Sequence, residues 1–131
     1  ENVTVSNVTI SNAGARGVWV QGDSPTGSVT LRNIITTDCP SDYQNDTTAG
    51  TVDVDYCAGD SDTDPWPATG SNIPEATIEF TNAGAGDYTL TALSDGYGDG
   101  VNLTGRLSNE AEKTFAGVSR STTAAWNMGA Y

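Results

Sequence analysis

The sequence predicts an all-β fold: an antiparallel β-sandwich preceded by an extended N-terminal strand. Three observations point there. Thr, Val, Ile, Tyr, Phe and Trp gather in short runs punctuated by Gly, Asn, Asp and Pro. Residues 51–56 and 76–81 alternate apolar and polar side chains, as a half-buried strand requires. Asn82-Ala83-Gly84-Ala85-Gly86 separates two such runs and supplies the glycines that a tight hairpin needs. The 131 residues suit one domain: an extended strand over 1–12, then the sandwich over 13–131.

In chain order, strands are expected at 17–21, 28–36, 51–57, 76–81, 87–93, 100–107, 113–119 and 122–127. The hairpin joins 76–81 to 87–93. Residues 107–116 are the best helical candidate, enough for one turn. Residues 38–74, with Pro40, Pro65, Pro67, Pro74 and most of the Asp, are expected to form long surface loops around strand 51–57. A signal or leader has been removed, or the chain is an excised part of something longer, since it starts at Glu1 rather than Met.

Residues 77–92, Thr-Ile-Glu-Phe-Thr through Asp-Tyr-Thr-Leu-Thr-Ala, resemble the strand–turn–strand unit of Ig-like modules in bacterial and archaeal surface proteins. That resemblance implies an extracellular, non-catalytic sandwich, Ig-like or jelly-roll. A second resemblance competes with it. Asn2-Val3-Thr4-Val5-Ser6, Asn7-Val8-Thr9-Ile10-Ser11-Asn12 and Ser28-Val29-Thr30-Leu31-Arg32-Asn33 resemble turns of a short right-handed parallel β-helix, with 21 residues from Val8 to Val29 and 23 from Val29 to Val52.

Composition narrows the chemistry. The chain has no His, so Ser-His or Cys-His catalysis and His-ligated zinc are excluded. Its formal charge is −12, which repels phosphate backbones and argues against nucleic-acid partners. No apolar run is long enough to span a membrane. The acids are concentrated: 13 lie between residues 38 and 99 with no base among them, leaving both ends near neutral. Paired carboxylates are therefore expected by number alone, and none is marked as a glycosidase pair. The reading is non-enzymatic.

Three constellations remain. Cys39 and Cys57 are expected to form a disulfide that staples the acidic loop and implies an oxidising, extracellular or cell-surface setting. No cofactor is required by the sequence; Asp60, Asp62 and Asp64, joined by Asp53 or Asp55, offer alternating carboxylates for calcium, the alternative being an acidic surface loop. The sequons at Asn2, Asn7, Asn45 and Asn102 are glycosylation candidates. Among the aromatics, Trp19 sits opposite the flanking Val18 and Val20, and Trp66, between two prolines, is expected to be the most exposed tryptophan.

The N-terminal segment sets the functional expectation. Val3 and Val5 share one parity, Val8 and Ile10 the other, so a flat strand cannot bury all four on one face. Either a bulge resets the strand, or its halves lie in two bodies. The second option resembles the architecture of pilus subunits that exchange strands. It makes Val3, Val5, Val8 and Ile10 subunit contacts and copies of the chain the principal partner. The expected function is a structural subunit of an extracellular filament or surface assembly, polymerising by strand complementation. The alternatives are a glycan-binding or adhesive module and a fragment of a β-helical surface protein.

Overall fold

A computed structural model describes residues 2–22, 27–48, 50–104, 114 and 117–129. The helical turn expected at 107–116 and part of the strand expected at 113–119 lie outside the described residues.

The strands are β1 (Val3–Ser11), β2 (Val18–Val20), β3 (Ser28–Thr37), β4 (Tyr43–Asn45), β5 (Thr51–Gly59), β6 (Phe80–Asn82) and β7 (Asp87–Leu90). The chain alternates between two sheets. β1, β3 and β5 form one sheet in that order, and β2 and β4 form the other. All of these pairings are parallel. Val3 pairs with Val29, 26 positions on, and Val29 with Val52, 23 positions on. Strands β1 to β5 therefore stack as successive coils.

This overturns the antiparallel sandwich. The only antiparallel sheet among the described residues is the β6–β7 hairpin, which turns through Ala83–Ala85 and Gly86 at φ 81°. The sheets are small and none closes. The coil winding also stops short of a full β-helix: past β5, among the described residues, it continues only as a single parallel bridge, Ala58 to Ile73. The spacing was misleading at one point. Val8 pairs with Ile34 rather than with Val29, because residues 2–11 are one strand and not two repeats.

What joins the two halves of that strand is a left-handed residue. Asn7 has φ 55°, Asn33 φ 53° and Tyr56 φ 57°. They lie between the rungs Ser6–Arg32–Asp55 and Val8–Ile34–Cys57, so the three left-handed residues stack. Asn tolerates this conformation because its short side chain bonds locally. Each one resets the alternation. Val5 and Val8, of opposite parity, both pack against the same cluster, formed by Val20, Leu31, Ile34, Cys57 and Trp66 between the two sheets. The parity change therefore arises within one coil and needs no second body.

The central strand β3 is buried on both faces, as a covered parallel strand is. Ile34 faces the inter-sheet cluster. Ile35 faces a second one, with Ala58, Ala76, Leu90 and Met128, against which Ile73, Ile78 and Phe80 pack. The hairpin and the tail segment thus cover the outside of the first sheet.

Trp66 reverses its expectation. It is buried, stacks on Tyr43 with centroids 5.1 Å apart, and donates from Nε1 to Thr36 Oγ1 at 2.8 Å. Flanking prolines shape the backbone but say nothing about which way an indole points.

Candidate functional site

Two surfaces stand out once the coils are in place. The first is the open side of β1. In the order β1-β3-β5, β1 and β5 are the edge strands. The C-terminal end of the β5 edge is covered by residues 72–76: Ile73 N donates to Cys57 O at 2.8 Å, Gly59 N to Ile73 O at 3.2 Å, and Cys57 N to Asn72 Oδ1 at 3.0 Å. Among the described residues no strand pairs with the outer side of β1. Val3 is half exposed there, Val5 and Val8 belong to the chain's own core, and Ile10 is partly buried.

The second surface is the outer face of β2 and β4. Val18 and Val20 point into the core, so Trp19 points out, beside Gln44 on the paired strand. Trp19 is 48% exposed. Its Nε1 donates to Asp46 Oδ2 at 2.8 Å, and Gln44 Nε2 donates to both Asp46 oxygens at 2.9 Å. Arg16 Nε donates to Gln44 Oε1, and the Arg16 guanidinium carbon lies 4.6 Å from the indole centroid. The four side chains close a ring of contacts. The hydrogen bonds from Gln44 and then Trp19 hold the Asp46 carboxyl below its usual range. The network therefore persists at neutral pH and is lost only as pH falls through that lowered value.

The cysteines do not form the expected disulfide. Both are free and buried. The register explains it. Cys57 sits opposite Ile34, and the strand then runs three more residues to Thr37, about 10 Å at the usual strand rise, before the chain turns toward Cys39. A disulfide needs Cα atoms within about 7 Å. Burial pushes the Cys57 thiol up to about 12.

The acidic constellation disperses as well. Asp60 accepts from Thr37 Oγ1 at 2.6 Å and from Asp38 N at 3.1 Å. Asp64, in the left-handed region at φ 47°, offers its carbonyl to Tyr43 N at 3.0 Å. Asp53 is drawn to Arg32, and Asp55 accepts from Ser71 N at 2.6 Å. Among the described residues no three Asp, Glu, Cys or His side chains converge on a metal position, Asp62 included.

The four sequons divide. Asn45 is the exposed last residue of β4, and its Oδ1 accepts from the amide and hydroxyl of Thr47 at 3.0 and 2.7 Å. Asn2 Oδ1 accepts from Ser28 N at 3.2 Å, and Asn7 Oδ1 accepts from Asn33 Nδ2 at 3.1 Å. The Nδ2 of Asn102 is committed to Ser121 O and Ala124 O at 3.2 and 2.8 Å.

One group escaped sequence reasoning entirely. Asp42 is fully buried, its Oδ2 accepts from Ser61 N at 3.0 Å, and its Oδ1 has no hydrogen-bond partner among the described residues. Burial pushes its carboxyl up, against the opposing bond from Thr36. Gly59 leaves it room, because a Cβ there would collide with the carboxylate. No family model, curated protein or solved structure matches the chain.

Proposed function

We propose that the chain is a non-catalytic structural module of an extracellular or cell-surface assembly, joined to a second copy of itself by strand addition at the outer side of β1. The observation that supports this is the asymmetry of the first sheet: residues 72–76 cover the C-terminal end of β5, whereas among the described residues no strand pairs with the outer side of β1. A nine-residue edge strand presents a row of amides and carbonyls that another strand can complete. Residues 2–11 carry no charge, so two such edges meet without the repulsion that the acidic middle would impose on two chains of −12.

Strand addition at β1 makes one contact. Two copies meeting through the same strand close about a twofold axis, and fibre growth needs a second contact. The extracellular setting rests on the acidic, sequon-bearing composition, because the free thiols lend it no disulfide.

Sedimentation velocity from micromolar to millimolar protein tests the reading. The expected result is a concentration-dependent dimer that Val3→Lys with Thr4→Lys returns to monomer, since both residues are exposed and edge charges block pairing. A wild-type chain that stays monomeric throughout, or a double variant that associates as well as wild type, refutes it.

A further inference from the structure

The outer face of β2 and β4 carries an unexplained expenditure of order. Trp66 and Trp126 are 1% and 3% exposed, as indoles that serve packing are, whereas Trp19 leaves about half of its surface in water. Holding a large aromatic in water forfeits its burial, and fixing three long polar side chains around it costs rotamer freedom. Yet Trp19 is clamped: Asp46 holds its N–H, Gln44 bridges Asp46 to Arg16, and Arg16 lies over the ring. The result is a rigid apolar plate rimmed by a donor and two acceptors, on a parallel pair of strands.

We propose that this face is a binding platform for an uncharged carbohydrate. A pyranose ring has an apolar C–H face that stacks on an aromatic plate and a rim of hydroxyls that both donate and accept. The rim of the Trp19 plate matches it. The terminal guanidinium nitrogens of Arg16, which have no partner among the described residues, donate to hydroxyl oxygens. Asp46 and the Gln44 carbonyl have lone pairs left to accept hydroxyl protons. The charges of Arg16 and Asp46 cancel, and the surrounding chain is strongly acidic, so a neutral sugar is favoured over an anionic one. Because the four groups are already tied together, little ordering is left to do at binding. The same charge argument disfavours a nucleobase stacked on the indole, since it arrives with phosphates.

The geometry also supplies the readout. With the other two tryptophans buried, acrylamide quenching of the native fluorescence reports Trp19. The probes are cellohexaose, laminarihexaose, mannohexaose and chitohexaose, each titrated to about 10 mM, with a Pro-rich decapeptide and a dT10 oligonucleotide as competing classes. At least one hexasaccharide should protect Trp19 from quenching, with a dissociation constant of roughly 0.1–1 mM for a single plate. Trp19→Ala should weaken that binding about tenfold or more, measured by calorimetry, and Gln44→Ala severalfold. Trp19→Phe, which keeps a smaller plate, should fall between wild type and Trp19→Ala, and each variant's melting curve shows that it is folded. The proposal is overturned if no sugar of the panel shields Trp19, if folded Trp19→Ala binds as tightly as wild type, or if only the peptide or the oligonucleotide protects the indole.

Discussion

Replacing Asn33 tests the stacked left-handed residues directly. Asn33 is fully buried. Its Nδ2 donates to Asn7 Oδ1 at 3.1 Å and to Val101 O at 2.8 Å, while its Oδ1 accepts from Val101 N at 2.8 Å. One side chain therefore links two coils and fastens the segment at residue 101 to both. Asn33→Ala removes three hydrogen bonds worth about 1 kcal/mol each net. It also places a Cβ without local bonding at φ 53°, which adds about 1 kcal/mol. The expected loss is about 4 kcal/mol, a large share of the 5–15 kcal/mol typical of a domain. Asn33→Gly loses the same bonds but not the backbone term, so it should be about 1 kcal/mol more stable than Asn33→Ala. Urea unfolding followed by far-ultraviolet circular dichroism reads both, as midpoint shifts at constant slope. If Asn33→Ala costs less than about 1 kcal/mol, an ordinary loss for a point mutation, the bridge does not hold the coils together. If the glycine variant is the less stable of the two, the left-handed assignment is wrong.

Two further predictions follow from buried groups. Unreduced intact protein should have the mass of the fully reduced chain, and both thiols should alkylate in urea but slowly when folded, because Cys39 and Cys57 are buried and the Cys57 thiol is raised to about 12; a linked Cys39–Cys57 peptide in the unreduced digest would overturn this. Asp42 has a raised carboxyl, so folding favours its protonated form: its penalty is absent below the unfolded value of 3.8 and grows as pH rises through the folded value. Asp42→Asn should narrow the stability difference between pH 3.5 and pH 7, and a pH profile parallel to wild type would show that Asp42 is not its source.

Strand positions were more legible than strand partners. Residues 28–36 and 51–57 read as strands and lie within β3 and β5, and the turn at 82–86 does join β6 to β7. Pairing failed because alternation was counted straight through Asn7. A left-handed residue makes the next side chain repeat the face of the one three before it, so Val8 read as opposite to Val5 when both enter one core. Asn7 is of a residue type that tolerates this conformation, but the stack with Asn33 and Tyr56 that fixes it exists only after the coils pair. The hairpin is a local feature and carries no information about how the remaining strands pair. The outward turn of Trp19 was legible from Val18-Trp19-Val20. Its partners were not: Gln44 and Asp46 reach it only through the parallel register of β2 and β4.

That register also separates the two proposed surfaces. The association edge belongs to β1, in the first sheet, and the aromatic plate to β2 and β4, in the second. The Val5–Val8 core packing and the Trp66 indole lie between them. Strand addition at β1 therefore neither covers Trp19 nor draws on the groups that hold it. A copy paired through its neutral edge still presents its plate to solvent, and a twofold pair presents two plates on one body. If the ligand is a polymer that spans both, pairing raises its apparent affinity through effective concentration without any new contact. In that case Val3→Lys with Thr4→Lys should leave hexasaccharide binding per chain unchanged while weakening attachment to the immobilised polysaccharide. A loss of hexasaccharide binding in that edge variant would show that the two surfaces are coupled and that the division between the sheets does not hold.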